Sequence, residues 1–311
     1  MSPPLRHLVR WTWLPALLLA GWAHASPPSL ALTGPDGDLL TVATFSLAPD
    51  RAHWSAHREG IVEALRALQP DVIALQDVEQ TPETPNQACW LAARLDYGCN
   101  FISADPPSRS RRYGNALLSR RAVVSDAVTL LHPFETANTA GMIRVELAGL
   151  PVNLYVTQLH GGGASGTDDA LIRAQQVINL QRWIAVTDDG LPSLLLGDFA
   201  AVAGARGLGA LGEDYLDAQA DAQMRGAGPE LVLPEVEGAV GAGAGADAGA
   251  DAAAGAAAIG AAGVSHHDRI LLRKGCFRLA RVAALQLPGD AGVQSRGLVA
   301  TIQVLRVVGA P

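Results

Sequence analysis

The first clear patterning of apolar and polar positions comes after residue 38. Residues 39–45 (LLTVATF) are mostly apolar and rich in β-formers, which predicts a strand. In HREGIVEALRALQ, Ile61, Leu65 and Leu68 recur at i, i+4 and i+7. That spacing predicts a helix, stopped by Pro70. Residues 71–78 (DVIALQDV) read as a second, buried strand with Asp77 near its end. A β–α–β opening of this kind predicts an α/β protein. Further strands are expected at 114–119, 142–147 and 152–159. A long helix is expected over 168–186, with Leu171, Ala174, Val177, Leu180 and Ile184 on one stripe. Residues 193–197 (SLLLG) form a run apolar on both faces, as in a central strand, and it ends at Asp198. Residues 268–272 and 298–304 are again strand-like.

Two segments break this pattern. Residues 11–23 form a largely apolar run preceded by Arg6, His7 and Arg10 and closed by Ala23-His24-Ala25. A basic start, a short apolar core and a small-x-small site predict a signal peptide over 1–25. The expectation is therefore an exported protein, periplasmic or secreted, with one domain over 26–311. The run is short for a membrane span, so no transmembrane segment is expected after signal removal. Outside the cytoplasm Cys89 and Cys99 are free to form a local disulfide, leaving Cys276 over. The second segment, 238–263, contains 14 Ala and 8 Gly among 26 residues. It has too little large apolar surface to offset the entropy of ordering it, and is expected to be a flexible insertion. It also inflates the 49% hydrophobic content.

Charge narrows the partners. The formal net charge is −7, from 23 basic and 30 acidic residues, which argues against a broad nucleic-acid-binding surface. Three cysteines are too few for a disulfide scaffold and lack zinc-finger spacing. The informative acids are Asp77, Asp198 and Asp268, each at the end of an expected strand. A single strand-end Asp is usually a loop-entry residue or a helix cap. Several carboxylates converging from different strands suit a hard cation such as Mg²⁺ in a metal-dependent hydrolase.

With these residues in view, the chain resembles the endonuclease/exonuclease/phosphatase superfamily, the group that includes pancreatic-type deoxyribonuclease. The resemblance rests on TFS (44–46), PDVIALQDV (70–78), YGNALLS (113–119), VTQLH (156–160), RAQQ (173–176), LLLGDFA (194–200) and HDRILL (267–272), in that order. It implies an α/β four-layer sandwich of two packed β-sheets flanked by helices, with the site at one rim. It also implies phosphoester hydrolysis assisted by Mg²⁺ or another divalent cation. In that chemistry an Asp activates or positions the attacking water, an Asn orients groups beside that Asp and a Glu holds the cation. Two histidines stabilise the developing phosphate charge.

The departures from that pattern carry as much information as the matches. T-F-N reads Thr44-Phe45-Ser46, and the metal-binding Q-E-V reads Gln76-Asp77-Val78. T-H-L reads Thr157-Gln158-Leu159, replacing an imidazole by an amide that exchanges no proton near neutral pH. G-D-F-N reads Gly197-Asp198-Phe199-Ala200, and D-R-I is intact at Asp268-Arg269-Ile270. The closing S-D-H aligns with Val293-Gln294-Ser295. Asp198 and Asp268 are thus kept and Asp77 is a conservative change, while Ser46, Gln158, Ala200, Gln294 and Ser295 are substitutions. The leading expectation is a depleted hydrolytic site, weakly active or inactive, that retains a cation or a phosphate-containing ligand. The competing expectation is an active phosphodiesterase or phosphatase with a rearranged site using His160 or His267. His160 would share a face with Gln158 if the strand continued, and His266 and His267 precede Asp268. The plainer reading of these histidines is polar residues at strand and loop ends. Arg109, Arg111 and Arg112 form the densest basic cluster, read either as a phosphate contact or as a solvated loop.

Overall fold

Successive side chains of a strand point to opposite faces of its sheet, and here both faces of two sheets are used. The computed structural model describes residues 30–31, 39–47, 51–147, 149–161, 167–200, 208–226, 230–232, 267–288 and 297–307. The expected signal segment 1–25 and the Ala/Gly stretch 238–263 lie outside the described residues. In chain order come β1 (Leu30–Ala31), β2 (Leu39–Ser46), α1 (Arg51–Leu68), β3 (Val72–Gln80), α2 (Gln87–Leu95), β4 (Gly98–Ser103) and β5 (Arg112–Ser119). Next are β6 (Val123–Leu130), β7 (Thr139–Leu147), β8 (Leu150–Gln158), α3 (Thr167–Thr187), β9 (Ser193–Asp198), α4 (Leu211–Asp214) and β10 (Tyr215–Asp217). The last are α5 (Ala218–Met224), β11 (Glu230–Val232), β12 (Asp268–Arg273), β13 (Phe277–Leu285), β14 (Gly297–Val304) and β15 (Arg306–Val307).

Besides a short antiparallel β1–β15 pair, one large sheet has the order β10-β12-β9-β8-β7-β6 and the other β11-β13-β14-β2-β3-β5-β4. Both are mixed: β8–β9, β2–β3 and β11–β13 are parallel and the remaining pairs antiparallel. The period-two patterning sorts the core into three layers. Leu40, Val42, Val72 and Ala74 of one sheet meet Leu154, Val156, Leu194, Leu196 and Ile270 of the other in a shared central core. The opposite faces, with Phe45, Ile73 and Leu75, pack on Trp54, Ile61 and Leu65 of α1 and Leu91 of α2. Across the molecule Tyr155 and Leu195 pack on Val177, Leu180 and Ile184 of α3. Helix, sheet, sheet and helix make the four layers expected from the sequence.

The differences from expectation have local causes. Helix α1 begins at Arg51, ahead of the periodic stretch, and still ends before Pro70. On α3, Leu171 is 68% exposed rather than part of the buried stripe. At 3.6 residues per turn it sits about 120° from Val177, and it lines a shallow groove with His132 and Pro133. No expectation covers helix α2 and strands β4, β6 and β13, nor the short elements β1, α4, β10, α5, β11 and β15. Strand β6 is a sheet edge with Val124 and Val128 exposed, so burial leaves little pattern on it. Helix α2 is short and relies on a cap, the Asn86 side chain accepting from the Cys89 N–H at 2.9 Å. Cys89 of α2 and Cys99 of β4 form a disulfide with a Cα–Cα distance of 5.2 Å. A loop of that size contributes about 2–3 kcal/mol in the chain-entropy picture.

Strand positions near the eventual site depend on one close approach. Gly197 has φ +135°, and a Cβ there would lie 1.9 Å from the Thr157 carbonyl oxygen of β8. Only a residue without a side chain lets β9 run beside β8 at this point. Gly197→Ala is expected to destabilise the fold by about 2–4 kcal/mol, combining overpacking with backbone strain. Urea denaturation checks this, with Gly209→Ala as the control, because nothing lies within 4 Å of a Cβ at Gly209.

Candidate active site

The alternation that builds the central core also delivers polar groups to its mouth. Val152, Leu154 and Val156 face inward on β8, so Gln158, at the strand's last position, faces inward too. The same parity carries Asp198 on β9 beyond Leu194 and Leu196, and sets Asp268 on β12 in register with Ile270 and Leu272. Gln158 pairs with Asp198, and Asp198 pairs with Asp268, across three neighbouring strands.

Asp77 comes from the other sheet, and simple alternation would misplace it. Ile73 and Leu75 face the helices, so residue 77 should do the same. Instead the β3–β5 register shifts between Leu75 and Val78, and Asp77 takes φ +56°. Val78 then fills the helix-facing position, and the Asp77 carboxylate turns toward the opposite sheet. There the Gln158 amide Nε2 donates to Asp77 Oδ1 at 2.8 Å. A β-bulge that re-aims one side chain is a common device beside functional sites.

The carboxylates feel one another. Burial pushes the Asp268 carboxyl up to about 8, helped by the charges of Asp198 and Asp77 and opposed by Arg269. Burial also raises Asp77, the Gln158 hydrogen bond pulls it back, and Asp198 pushes it up again. Asp198 Oδ1 accepts from the Ala200 N–H at 2.7 Å. Ala200 itself has φ +49°, a left-handed conformation that Asn visits more readily than Ala.

A supporting shell holds Gln158. Its carbonyl accepts from Asn138 Nδ2 at 2.9 Å, and Asn138 Oδ1 accepts from Gln176 Nε2 at 2.9 Å. Asn115, inside the YGNALLS segment but assigned no role from the sequence, points into the same inter-sheet space. Its Nδ2 donates to the carbonyl and hydroxyl of Thr139, both at 3.3 Å, while its buried Oδ1 has no partner among the described residues. The signal that marks it in the sequence is an amide inside an otherwise apolar strand.

His160 is not brought to the carboxylates. Strand β8 ends at Gln158, so the face-sharing argument fails. The His160 ring instead meets Asp169 of α3, with Nε2 3.0 Å from Oδ1, and its backbone N–H donates to Gln176 Oε1 at 2.8 Å. His267 is exposed, and its carbonyl accepts from the Phe199 N–H at 2.9 Å. The rearranged site built on these imidazoles is therefore not favoured. Ser46 ends β2 beside Gln76. His266, Gln294 and Ser295 lie outside the described residues. In the basic cluster Arg109 is paired with Asp105 at 2.6 Å, Arg112 lies over the Phe101 ring, and Arg111 donates to the Tyr113 hydroxyl.

The fit to a divalent cation can be judged from these groups. Carboxylate oxygens are the right donors for a hard cation. Among the described residues, however, no group of three or more His, Cys, Asp and Glu side chains is arranged to hold a metal ion. Asp77 and Asp198 each spend an oxygen on a neighbouring N–H. The donor chemistry of the three carboxylates suits a hard cation, and a bound cation would compete with these N–H groups for Asp77 and Asp198.

The fold matches known proteins. The chain matches the Endonuclease/Exonuclease/phosphatase family over residues 37–295. It belongs to that family. Among solved structures, the family protein from Bacteroides vulgatus superposes with a TM-score of 0.62 at 14% identity, covering 86% of this chain and 99% of that one. The human nocturnin catalytic domain with bound sulfate gives 0.59 at 19%, covering 90% and 100%. D. rerio TDP2 complexed with a single-strand DNA product gives 0.59 at 13%, covering 85% and 99%. At these identities the likeness concerns the fold shared across the family. A search of curated proteins finds no significant match.

Two predictions follow from the rim. Because the folded state holds the Asp268 proton up to about pH 8 and the unfolded state releases it near pH 4, folding takes up a proton in between. The contribution of this group to stability is therefore fully present at acidic pH and is lost as pH rises from about 4 to about 8. Asp268→Asn removes this loss, so its melting-temperature advantage should grow across that window; equal slopes for both proteins would contradict the assignment. Ala200→Gly relieves the positive φ and should stabilise by up to about 1 kcal/mol, read by denaturant midpoint.

Proposed function

We propose that the chain is an exported member of the family whose phosphoester-hydrolysis site is depleted, and which retains a phosphate-containing ligand or a cation without efficient turnover. The observation that carries this reading is the 2.8 Å hydrogen bond from Gln158 to Asp77. At the position where the family resemblance implies an imidazole, an amide ties up the carboxylate implied to hold the cation. An amide neither takes nor gives a proton near neutral pH, and His160 is occupied by Asp169. Each electrostatic group removed from such a site typically costs about 10²–10³ in rate, although losses within one unit do not simply multiply.

Export is supported by the basic and apolar N-terminal segment and its small-x-small site. The Cys89–Cys99 disulfide agrees with an oxidising compartment. Among the described residues no helix is long and apolar enough to cross a membrane.

The test is turnover by the purified chain with Mg²⁺, Mn²⁺ or Ca²⁺. The substrates are single-stranded DNA, a generic phosphodiester, an inositol phosphate and sphingomyelin. No metal-dependent turnover above that of an Asp198→Ala control is expected. Metal-dependent hydrolysis that Asp198→Ala abolishes would overturn the proposal.

A further inference from the structure

Two imidazoles meet on the helix that covers the seven-stranded sheet, outside the acidic rim. Helix α1 buries Trp54, Ile61, Val62 and Leu65 against the sheet. At 100° per residue, His53 and His57 lie along one border of that buried face, a helical turn apart. Both are half-buried, and their ring centroids are 4.5 Å apart with planes tilted by 49°. The neighbouring charges are engaged elsewhere. The Arg58 guanidinium lies over the Trp90 ring at 4.7 Å, and Glu59 takes ion pairs from Arg58 and Arg94.

We propose that His53 and His57 form a surface chelate for a divalent d-block cation of the Cu²⁺, Ni²⁺ and Zn²⁺ class. Imidazole nitrogens are the preferred ligands of these borderline ions and poor ligands for Mg²⁺. Two histidines four residues apart on one helical face are a spacing that holds zinc. A tetrahedral cation about 2.0–2.1 Å from each nitrogen needs the two nitrogens about 3.4 Å apart. Rings 4.5 Å apart reach that span by rotation of their own side chains. The partly exposed border leaves the remaining coordination positions to water. The site differs in donor type from the carboxylate rim, so the two are separable by metal. It also needs no hydrolytic activity to be detected.

The experiment titrates the full chain with Ni²⁺, Cu²⁺ and Zn²⁺ by calorimetry, in excess Mg²⁺ to occupy any hard-oxygen site. One equivalent should bind, with Cu²⁺ tightest among the three. Losing a mere supporting partner costs about 10–100-fold in metal affinity. Losing one of two imidazole ligands, in His53→Ala or His57→Ala, should therefore cost at least about tenfold. Imidazole nitrogen chemical shifts of the unsubstituted protein supply a second measurement in case a variant misfolds. Zinc should move the signals of His53 and His57 and leave those of His132 and His267 in place. Unchanged affinity in both variants, or zinc-induced shifts confined to other histidines, would overturn the proposal.

Discussion

Two sheets packed face to face impose one constraint on everything else: their central strands must commit alternate positions to a dry shared layer. Leu154, Val156, Leu194, Leu196 and Ile270 fill that layer from one side, and Leu40, Val42, Val72 and Ala74 from the other. A polar side chain on the inner face is tolerated only where the layer opens or where it finds a partner. The inward-facing acids and amides therefore collect at one mouth of the sandwich, and the site's location follows from core packing before any chemistry is considered.

The same constraint explains the electrostatics of the rim. Asp198 and Asp268 sit on paired strands and Asp77 faces them from the other sheet. Asp268 holds its proton so tightly chiefly because apolar packing buries it, and the charges of Asp198 and Asp77 brought to the same rim add to the effect. Gln158 relieves part of the same effect at Asp77 by donating to it. On the proposed reading, a catalytic arrangement has been exchanged for a hydrogen-bonded one that suits folding more than hydrolysis.

The sequence made much of this legible. Apolar, β-rich runs located β2, β3, β5, β7, β8, β9, β12 and β14, and strand-end position singled out Asp77, Asp198 and Asp268. What escaped depended on geometry that a pattern does not encode. The left-handed turn at Asp77 reverses the face its position would assign, and nothing in QDV announces it. His160 shares a face with Gln158 only if the strand continues, whereas the chain leaves β8 and gives the imidazole to Asp169. Edge strand β6 lacks a buried face to pattern it, and α2 is too short for its periodicity to speak. Asn115 was visible as an amide in an apolar run, yet its unpartnered oxygen emerges only from the packing around it.

If the side chains alone separate this chain from a working hydrolase, the scaffold should accept the family's residues. The direct measurement compares phosphodiesterase turnover in Mg²⁺ between the natural chain and one carrying Ser46→Asn, Asp77→Glu, Gln158→His, Ala200→Asn, Gln294→Asp and Ser295→His. The restored chain should exceed the natural one by at least about a hundredfold, the typical worth of a single well-placed electrostatic group. Equal, substantial, metal-dependent turnover by both chains would contradict the depleted-site reading.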